Sequence, residues 1–488
     1  MNKPNILFII LDTARGQTVL PGLKNGLMPA TGRIASEGTT FRNVSTVAPW
    51  TLPSHASLFT GRYTSDHDTH RGSTHFDQAA QPLAARLQKE GYTTVGISGN
   101  IWVSPEFGFD AGFDQFSMKW DVFWGGADLS RIRAADGLGP RVRALRSELS
   151  FKNAPKTVLN AIYGRYVGNR YDDGAWLTTK RAIRWIEDYQ SQSPFFFFIN
   201  YLEPHLEYNP PEGYTEKFLP AGIDPADVEE VNQDQWRYIA GDETMDEDDF
   251  AVLEAMYKGE LNYLDLQIAK LYAALSRKGI LDETAIVLVS DHGENIGDHG
   301  LMDHQYCLYE TLLNVPLVIR YPDCFDAGVT VDGLVESRDL YPTLLELAGT
   351  NPDPAVDSVS DNSLLPVNGT YTDREYAIAE YVRPQPSMSA LEKRLGSLDE
   401  QTRRYDRVLR SIRTESWKLI EGSDGTTELY HLAEDPTETT DVSESNPEII
   451  GRLQRILRRE QGSLRRRTDD PESISEQSRE RLEDLGYI

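Results

Sequence analysis

Short apolar runs that alternate with longer amphipathic segments constrain the fold of this chain most strongly. Five runs are rich in β-branched or aromatic residues and end in polar, Gly or Asp residues: Ile6–Leu11, Thr93–Ser98, Phe195–Tyr201, Ala285–Ser290 and Val315–Arg320. Between them, three segments carry apolar residues at three- and four-residue spacing: Leu83–Glu90, Asp172–Gln190 and Asp249–Lys278. Strands too apolar for a one-sided sheet, alternating with helices, predict an α/β protein with a doubly wound sandwich.

The C-terminal part of the chain has a different pattern. Short strand candidates follow a polar stretch at 350–370 and precede a helix near Pro447–Arg459: Tyr376–Tyr381, Val408–Arg413, Trp417–Glu421 and Glu428–His431. We therefore predict a main domain over residues 1–375 and a smaller α+β subdomain over residues 376–488, with a small antiparallel sheet and terminal helices. The Arg-rich residues 120–170 predict an insertion above the site.

The charge balance excludes several classes of partner. The 488 residues include 49 Lys and Arg against 76 Asp and Glu, a net charge of −27. An acidic chain is a poor partner for nucleic acid or for an anionic membrane surface. The longest apolar runs are strand-sized, which predicts no membrane span. Two cysteines and an N-terminus without a signal-peptide pattern predict a cytoplasmic protein without a disulfide framework.

The types of charged residue are also informative. The chain has 13 Lys but 36 Arg. An acidic chain that is poor in Lys resembles proteins from organisms with concentrated internal salt, because carboxylates retain hydration water and salt screens their repulsion. An ordinary acidic cytoplasmic enzyme is the alternative.

Polar residues at two strand ends are candidates for a metal site. Asp12 follows the first apolar run, and Asp291 and His292 follow the fourth. In α/β sheets, ligands collect beyond the carboxyl ends of the strands. Two carboxylates and an imidazole that converge there would suit Mn²⁺, Mg²⁺ or Zn²⁺. A single Asp at a strand end is more often a helix cap or a turn residue than a metal ligand.

A Pro-punctuated segment, Ala48–Gly61, carries a candidate nucleophile. Thr51 lies where this loop opens into a helix, so that its hydroxyl could face an incoming anion together with helix-end N–H groups. Coordination to a metal would activate that hydroxyl near neutral pH. The alternative is that Thr51 and Ser54 are simple helix caps.

Several motifs, in order along most of the chain, resemble the sulfatase family of the alkaline phosphatase superfamily. The segments that carry the resemblance are Asn5–Asp12, Thr51–Gly61, Gly91–Asn100, Pro194–His205, Ser290–Glu294, Gly297–Gly300, Leu308–Leu317, Arg413–Lys418, Glu428–Leu432 and Asp435–Glu438. The resemblance implies an alkaline-phosphatase-like α/β/α sandwich, with a catalytic domain over residues 1–375. It also implies hydrolysis of a sulfuric ester on a small molecule or carbohydrate.

The chain departs from the family pattern at the position of the nucleophile. The family uses a Cys or Ser that is oxidised to formylglycine, whereas this chain has Thr51, which cannot form the aldehyde. The variant is similar to archaeal sulfatase-like proteins. The family's next Arg is replaced by His55, its second carboxylate by Thr13, and its later Lys by a stretch that contains His304. The resemblance therefore implies one divalent ion (Mn²⁺, Zn²⁺, Ca²⁺ or Mg²⁺) and no formylglycine, with a reduced ligand set: Asp12, Thr51, Asp291 and His292.

The substitution at Thr51 alters the expected chemistry. Formylglycine releases sulfate by C–O cleavage, but an adduct on Thr51 must be opened by attack at its central atom. This favours a phosphate monoester or diester, which metal ions clamp well. By resemblance, His55, His205 and His304 bind the anion or move protons. Two alternatives remain: a transferase that passes a phospho group through a covalent Thr51 adduct, and a non-catalytic sulfatase-like binding protein.

The net charge of −27 generates a prediction about salt. An anionic ester must approach an acidic surface, and salt screens that repulsion. We expect hydrolysis of such an ester to rise with ionic strength when rates in low and molar NaCl are compared. A rate that falls steadily with added salt would contradict this expectation.

Overall fold

The fold was obtained as a computed structural model of the 488-residue chain. It describes residues 3–464 except 77–80, 122–171, 353–358 and 361, together with residues 479 and 482. The insertion predicted at 120–170 and the terminal helices predicted beyond residue 464 therefore lie almost entirely outside the described residues. Among the described residues, no helix combines the length and the apolarity needed to cross a membrane.

Most strands belong to two sheets. The strands are β1 Asn5–Leu11, β2 Thr39–Ser45, β3 Thr93–Ser98, β4 Gln115–Met118, β5 Phe195–Tyr201, β6 Thr284–Val289, β7 Asn295–Ile296, β8 Met302–Asp303, β9 Asn314–Arg320, β10 Val329–Glu336, β11 Ala377–Tyr381, β12 Leu409–Arg413, β13 Trp417–Gly422 and β14 Thr427–His431. Eight form the central sheet in the order β10-β2-β9-β6-β1-β5-β3-β4. β11 to β14 form the second sheet, and β7 pairs with β8.

Helices lie between most of these strands. They are α1 Gly16–Asn25, α2 Pro29–Ser36, α3 Thr51–Thr60, α4 Thr64–His67, α5 Leu83–Lys89, α6 Ala175–Asp188, α7 Asp227–Glu230, α8 Gln235–Ile239, α9 Glu247–Lys278, α10 Glu310–Leu313, α11 Leu340–Leu347, α12 Met388–Leu395, α13 Glu400–Arg403 and α14 Pro447–Gln461. The longest, α9, begins with a capping box at Asp246 and ends at Gly279, whose φ of 77° suits a residue without a side chain.

The central sheet is apolar on both faces, as β1 illustrates. Ile6, Phe8 and Ile10 belong to the apolar cluster under α3, α5 and α11. The alternate residues Leu7 and Ile9 belong to the opposite cluster, which α1, α2, α6 and α9 cover. A strand buried on both faces has no polar alternation, which is why β1 reads as an unbroken apolar run. The predicted α/β/α sandwich is confirmed.

One strand runs in an unexpected direction. β1 is parallel to its neighbours β5 and β6, but β9 is antiparallel to both β2 and β6. Residues 290–313, between β6 and β9, contain only the two-residue strands β7 and β8, a 3-10 turn at Asp298–Gly300 and the four-residue helix α10. No crossover helix in this connection carries the chain back to the end of the sheet where β6 begins. β9 therefore starts at the end where β6 stops, and it runs antiparallel to β6.

The C-terminal sheet is small and antiparallel, as the sequence predicted. Its strands pair in chain order, β11-β12-β13-β14. Helix α14 covers one face through Leu453 and Leu457, which share an apolar cluster with Ile378, Ile412 and Leu419. The amphipathic pattern of α14 is therefore explained by this sheet.

A buried ammonium group joins this sheet to helix α10, which leads into β9 of the central sheet. The Nζ of Lys418, on β13, lies 3.0 Å from Oε1 of Glu310 and 2.8 Å from Oε1 of Glu438. Arg413 Nε contacts the other oxygen of Glu310 at 3.0 Å. Lys418 is fully buried, so its charge depends on these carboxylates instead of water.

We expect Lys418→Met to lower the free energy of unfolding by about 3–5 kcal/mol, because two buried carboxylates lose their shared counter-charge. The control is Lys258→Met, since Lys258 makes a half-exposed pair with Glu254 at 2.9 Å. That change should cost about 1 kcal/mol or less. Urea unfolding followed by tryptophan fluorescence measures both. Equal effects of the two changes would show that the buried pair contributes no more than a surface pair.

Candidate active site

The ends of β1 and β6 bring the predicted metal ligands together. The two strands are parallel neighbours with Ile10 opposite Val289, so Asp12 and Asp291 leave the sheet side by side. Ser290 links the two ends, because its Oγ accepts the N–H of Ala14 at 2.8 Å and lies 2.6 Å from the carbonyl oxygen of Leu11. Adjacent parallel strands thus impose the convergence that the sequence predicted.

The resulting cluster is compact and fully buried. Nε2 of His292 lies 3.3 Å from Oδ2 of Asp291, 3.8 Å from Oδ1 of Asp12 and 3.3 Å from Oγ1 of Thr51. Asp12, Asp291 and His292 each point one ligand atom into a common space, with these atoms within 4.8 Å of one another. All four predicted ligands therefore lie together at the carboxyl ends of the central strands β1 and β6.

The donor atoms fit a divalent cation. Oδ1 of Asp12 is buried and has no hydrogen-bond partner among the described residues. The Nδ1–H of His292 donates to the carbonyl oxygen of Gly293 at 2.9 Å, which leaves a lone pair on Nε2. A fixed tautomer and an uncompensated carboxylate oxygen are the features that a cation requires of its ligands. Oxygen ligands with one imidazole suit Mn²⁺, Mg²⁺ or Zn²⁺.

The pKa values of the ligands reflect crowded burial. Burial and the neighbouring Asp291 raise the pKa of Asp12 well above its ordinary value. Burial also opposes ionisation of Asp291, but its contacts with His292 and His55 outweigh this effect and lower its pKa to about 2. Burial lowers the pKa of His292 to about 3, so its imidazole is neutral near pH 7. Two carboxyls compete for one negative charge, a conflict that a bound cation removes.

Thr51 is the first residue of α3 and faces the same point. Its Oγ1 lies 3.3 Å from Nδ2 of Asn100, which also donates to Oδ2 of Asp12 at 2.9 Å. Asn100 comes just after β3, so a third strand end contributes to the site. The hydroxyl is thus positioned beside the ligand cluster. Asn100 can contact both Thr51 and Asp12 because β3 is separated from β1 only by β5 in the sheet.

His55 lies one helical turn after Thr51, beneath the ligand cluster. Its Nδ1 is 3.0 Å from the carbonyl oxygen of Thr51 and 3.3 Å from Oδ2 of Asp291. Its ring packs against Phe109 and Phe198, with centroids 6.4 and 6.2 Å away. Direct contact with an anion stays a prediction; these contacts fit a residue that positions Asp291.

His205 and His304 lie at the other side of the cluster. The ring of His304 is 4.5 Å from that of His292 and 5.2 Å from that of His205, centroid to centroid. Burial, reinforced by the charge of His304, lowers the pKa of His205 to about 4. Burial also disfavours a charge on His304, but Asp303 and Glu294 outweigh it and raise its pKa well above the ordinary value.

Two carboxylates beside His304 were not predicted from the sequence as site residues. Glu294 and Asp303 are buried and form a second group with His304 whose ligand atoms lie within 4.8 Å of one another. The signal was present, because Glu294 comes two residues after a predicted ligand and Asp303 directly precedes His304. What the sequence did not show is the pairing of β7 with β8, which sets Asn295 opposite Asp303.

The central sheet and the ligand cluster at its strand ends define a member of the alkaline phosphatase superfamily. The sulfatase family profile matches residues 4–350, and a profile for the C-terminal part of N-sulphoglucosamine sulphohydrolase matches residues 297–463. The chain belongs to the sulfatase family and is a sulfatase-like ester hydrolase.

Individual relatives are distant but cover nearly the whole chain. Arylsulfatase K of Rattus norvegicus is 24% identical over 93% of this chain and 77% of its own length. An arylsulfatase of Clostridium perfringens is 26% identical over 94% of each chain.

Two solved structures show the same fold. A protein in complex with its substrate D-glucosamine-2-N,6-O-disulfate has a TM-score of 0.70 and 20% identity, covering 94% of this chain and 98% of its own. The phosphonate monoester hydrolase of Agrobacterium radiobacter has a TM-score of 0.66 and 22% identity, covering 93% and 95%.

The position of His55 leads to a prediction about metal affinity. His55→Leu removes the N–H that contacts Asp291, so we expect Mn²⁺ affinity to fall by about 10–100-fold in calorimetric titration. His55→Asn can return an N–H to the same place and should recover part of the loss. An unchanged metal affinity together with a raised KM would instead show that His55 contacts the substrate anion.

Proposed function

We propose that this chain is a metal-dependent hydrolase that uses Thr51 as its nucleophile and prefers phosphate monoesters or diesters to sulfuric esters. The observation that carries the proposal is the position of Thr51 Oγ1, at the start of α3 and 3.3 Å from Nε2 of His292. Asp12, Thr51, Asp291 and His292 would hold one divalent ion, Mn²⁺, Zn²⁺, Ca²⁺ or Mg²⁺. A hydroxyl so placed needs no oxidation to an aldehyde to act.

The residues around Thr51 have separable tasks. A bound divalent cation would lower the pKa of the Thr51 hydroxyl and neutralise charge on the ester oxygens. Asn100 orients that hydroxyl and Asp12 through one amide group, because its Nδ2 reaches both. His205 and His304 lie beside the cluster, where they would contact the ester or its leaving group. Burial of the cluster keeps bulk water away and strengthens each of these interactions.

The choice of phosphorus over sulfur follows from the second half of the reaction. Attack by Thr51 Oγ1 forms a bond to the central atom and expels the alcohol, which takes up a proton. The adduct then reacts only by attack of water at the same atom, which breaks its bond to Oγ1 and restores the hydroxyl. Such in-line displacement at phosphorus is favoured by metal and cationic clamps, since its oxygens carry more negative charge than those of a sulfate monoester.

The similar folds are compatible with either ester. One structural neighbour was solved with a disulfated glucosamine as its substrate, and another is a phosphonate monoester hydrolase. The fold therefore supports both chemistries, and the residue at position 51 decides between them in this proposal. Location in the cytoplasm and adaptation to salt stay predictions from the sequence.

We expect Thr51→Ala to lower kcat by about 10³-fold or more, because the nucleophile is lost while the other cation ligands remain. Thr51→Ser keeps the hydroxyl and should retain most activity. Rates are measured with p-nitrophenyl phosphate, bis-p-nitrophenyl phosphate and p-nitrophenyl sulfate, each with Mn²⁺, Zn²⁺, Ca²⁺ or Mg²⁺ present.

Two results would contradict the proposal. Full activity of Thr51→Ala would show that Thr51 is not the nucleophile, and faster hydrolysis of the sulfate than of both phosphates would reverse the substrate preference. Intact-protein mass spectrometry after mixing with substrate adds a further check. A long-lived phospho adduct on the wild-type chain, absent from Thr51→Ala, would indicate group transfer to another acceptor.

A further inference from the structure

We propose that Glu294, Asp303 and His304 hold a second divalent cation next to the first. The inference extends the proposed function, since it adds a second cation to the same active site. Each of the three side chains offers one ligand atom, and these atoms lie within 4.8 Å of one another. Two carboxylate oxygens and one imidazole nitrogen form a donor set of the same kind as Asp12, Asp291 and His292.

The β7–β8 hairpin creates this second group. Asn295 and Asp303 are paired residues of the hairpin. Glu294 directly precedes Asn295 and His304 directly follows Asp303, so both lie next to this pair, at the open end of the two strands. Oε1 of Glu294 lies 3.8 Å from Nδ1 of His304, and Asp303 contacts the same nitrogen. The backbone N–H of His304 donates to Oδ1 of Asp303 at 2.7 Å, which fixes the aspartate against the hairpin.

Glu294 is the member whose environment most requires a cation. It is fully buried, and neither of its carboxylate oxygens has a hydrogen-bond partner among the described residues. A buried carboxylate without hydrogen bonds is strongly unfavourable unless a positive charge lies beside it. Its position towards His304 and Asp303 directs its oxygens into the space that the three side chains share.

The charge of the whole site also favours two cations. Asp12, Asp291, Glu294 and Asp303 are buried together, and four ionised carboxylates carry four negative charges. One divalent cation and an imidazolium at His304 would compensate three of them, and an anionic ester would then enter a site that is still negative. Arg15 is committed to Asp298 at 3.0 Å. A second divalent cation brings the four carboxylates to neutrality and leaves room for the charge of the substrate.

The two groups are close enough to act on one ester. The rings of His292 and His304, one from each group, are 4.5 Å apart between centroids. Paired cations in phosphoryl-transfer sites lie roughly 3.5–4 Å apart and stabilise the attacking and leaving oxygens together. Here the first cation would contact Thr51 and the second would lie on the side of His205. The alternative is that His304 is an imidazolium held by Asp303, with no second cation.

The test counts bound Mn²⁺ by equilibrium dialysis of the metal-free full chain, followed by elemental analysis. We expect two ions for the wild-type chain, one for Glu294→Gln, one for Asp12→Asn and none for the double variant. The matched control Glu448→Gln, at an exposed position in the first turn of α14, should bind two. Asp303→Asn is a second test of the same site, for the case that circular dichroism shows Glu294→Gln to be unfolded.

Each outcome separates this inference from the proposed function. One ion in the wild-type chain, unchanged in Glu294→Gln and lost in Asp12→Asn, would overturn the second site, support the imidazolium and leave the first site intact. Two ions in both Glu294→Gln and Asp303→Asn would overturn the assignment of ligands. No bound ion in the wild-type chain would overturn the metal-dependent function itself.

Discussion

The interaction on which the site depends is the repulsion between carboxylates buried at the ends of adjacent parallel strands. Asp12 and Asp291 leave the sheet side by side, and the surrounding groups hold them there: the Ser290 hydroxyl between the strand ends, Asn100 on Asp12 and His55 on Asp291. Thr13 has a φ of 62°, an uncommon value for a β-branched residue, and its N–H is 3.3 Å from Oδ1 of Asp291. These contacts thus hold both the unusual backbone conformation of Thr13 and the two buried carboxylates in place, as expected where a cation binds.

The sequence predicted the elements of the fold better than their directions. Runs such as β1 and β5 are apolar throughout because both faces are buried, and such runs are recognisable without a structure. The antiparallel β9 was not predictable from its own residues, since its direction depends on the connection that precedes it. The strand-end rule predicted the meeting of Asp12 with Asp291, because it follows from sheet geometry alone.

The site residues that the sequence missed depend on non-local packing. Glu294 and Asp303 approach each other only because the two-residue strands β7 and β8 pair as a hairpin, in which Asp303 has a φ of 69°. His55 shows the same limit in another form. Its motif position predicts contact with an anion, and that contact stays a prediction. The motif did not show that Nδ1 of His55 lies 3.3 Å from Oδ2 of Asp291, or that its ring lies nearly perpendicular to those of Phe109 and Phe198. Motif position gives the neighbourhood of a side chain, whereas rotamer and packing decide what it touches.

The buried ammonium of Lys418 has a consequence for how this protein could be divided. A boundary near residue 376 separates two sheets along the chain, yet Glu310, which follows the site hairpin, shares its counter-charge with Lys418 and Arg413 from the smaller sheet. A fragment that ended at residue 375 would leave that glutamate buried and uncompensated. The C-terminal unit is therefore not an interchangeable module, and recombination between relatives at this boundary would have to carry the partners of Glu310 across with it.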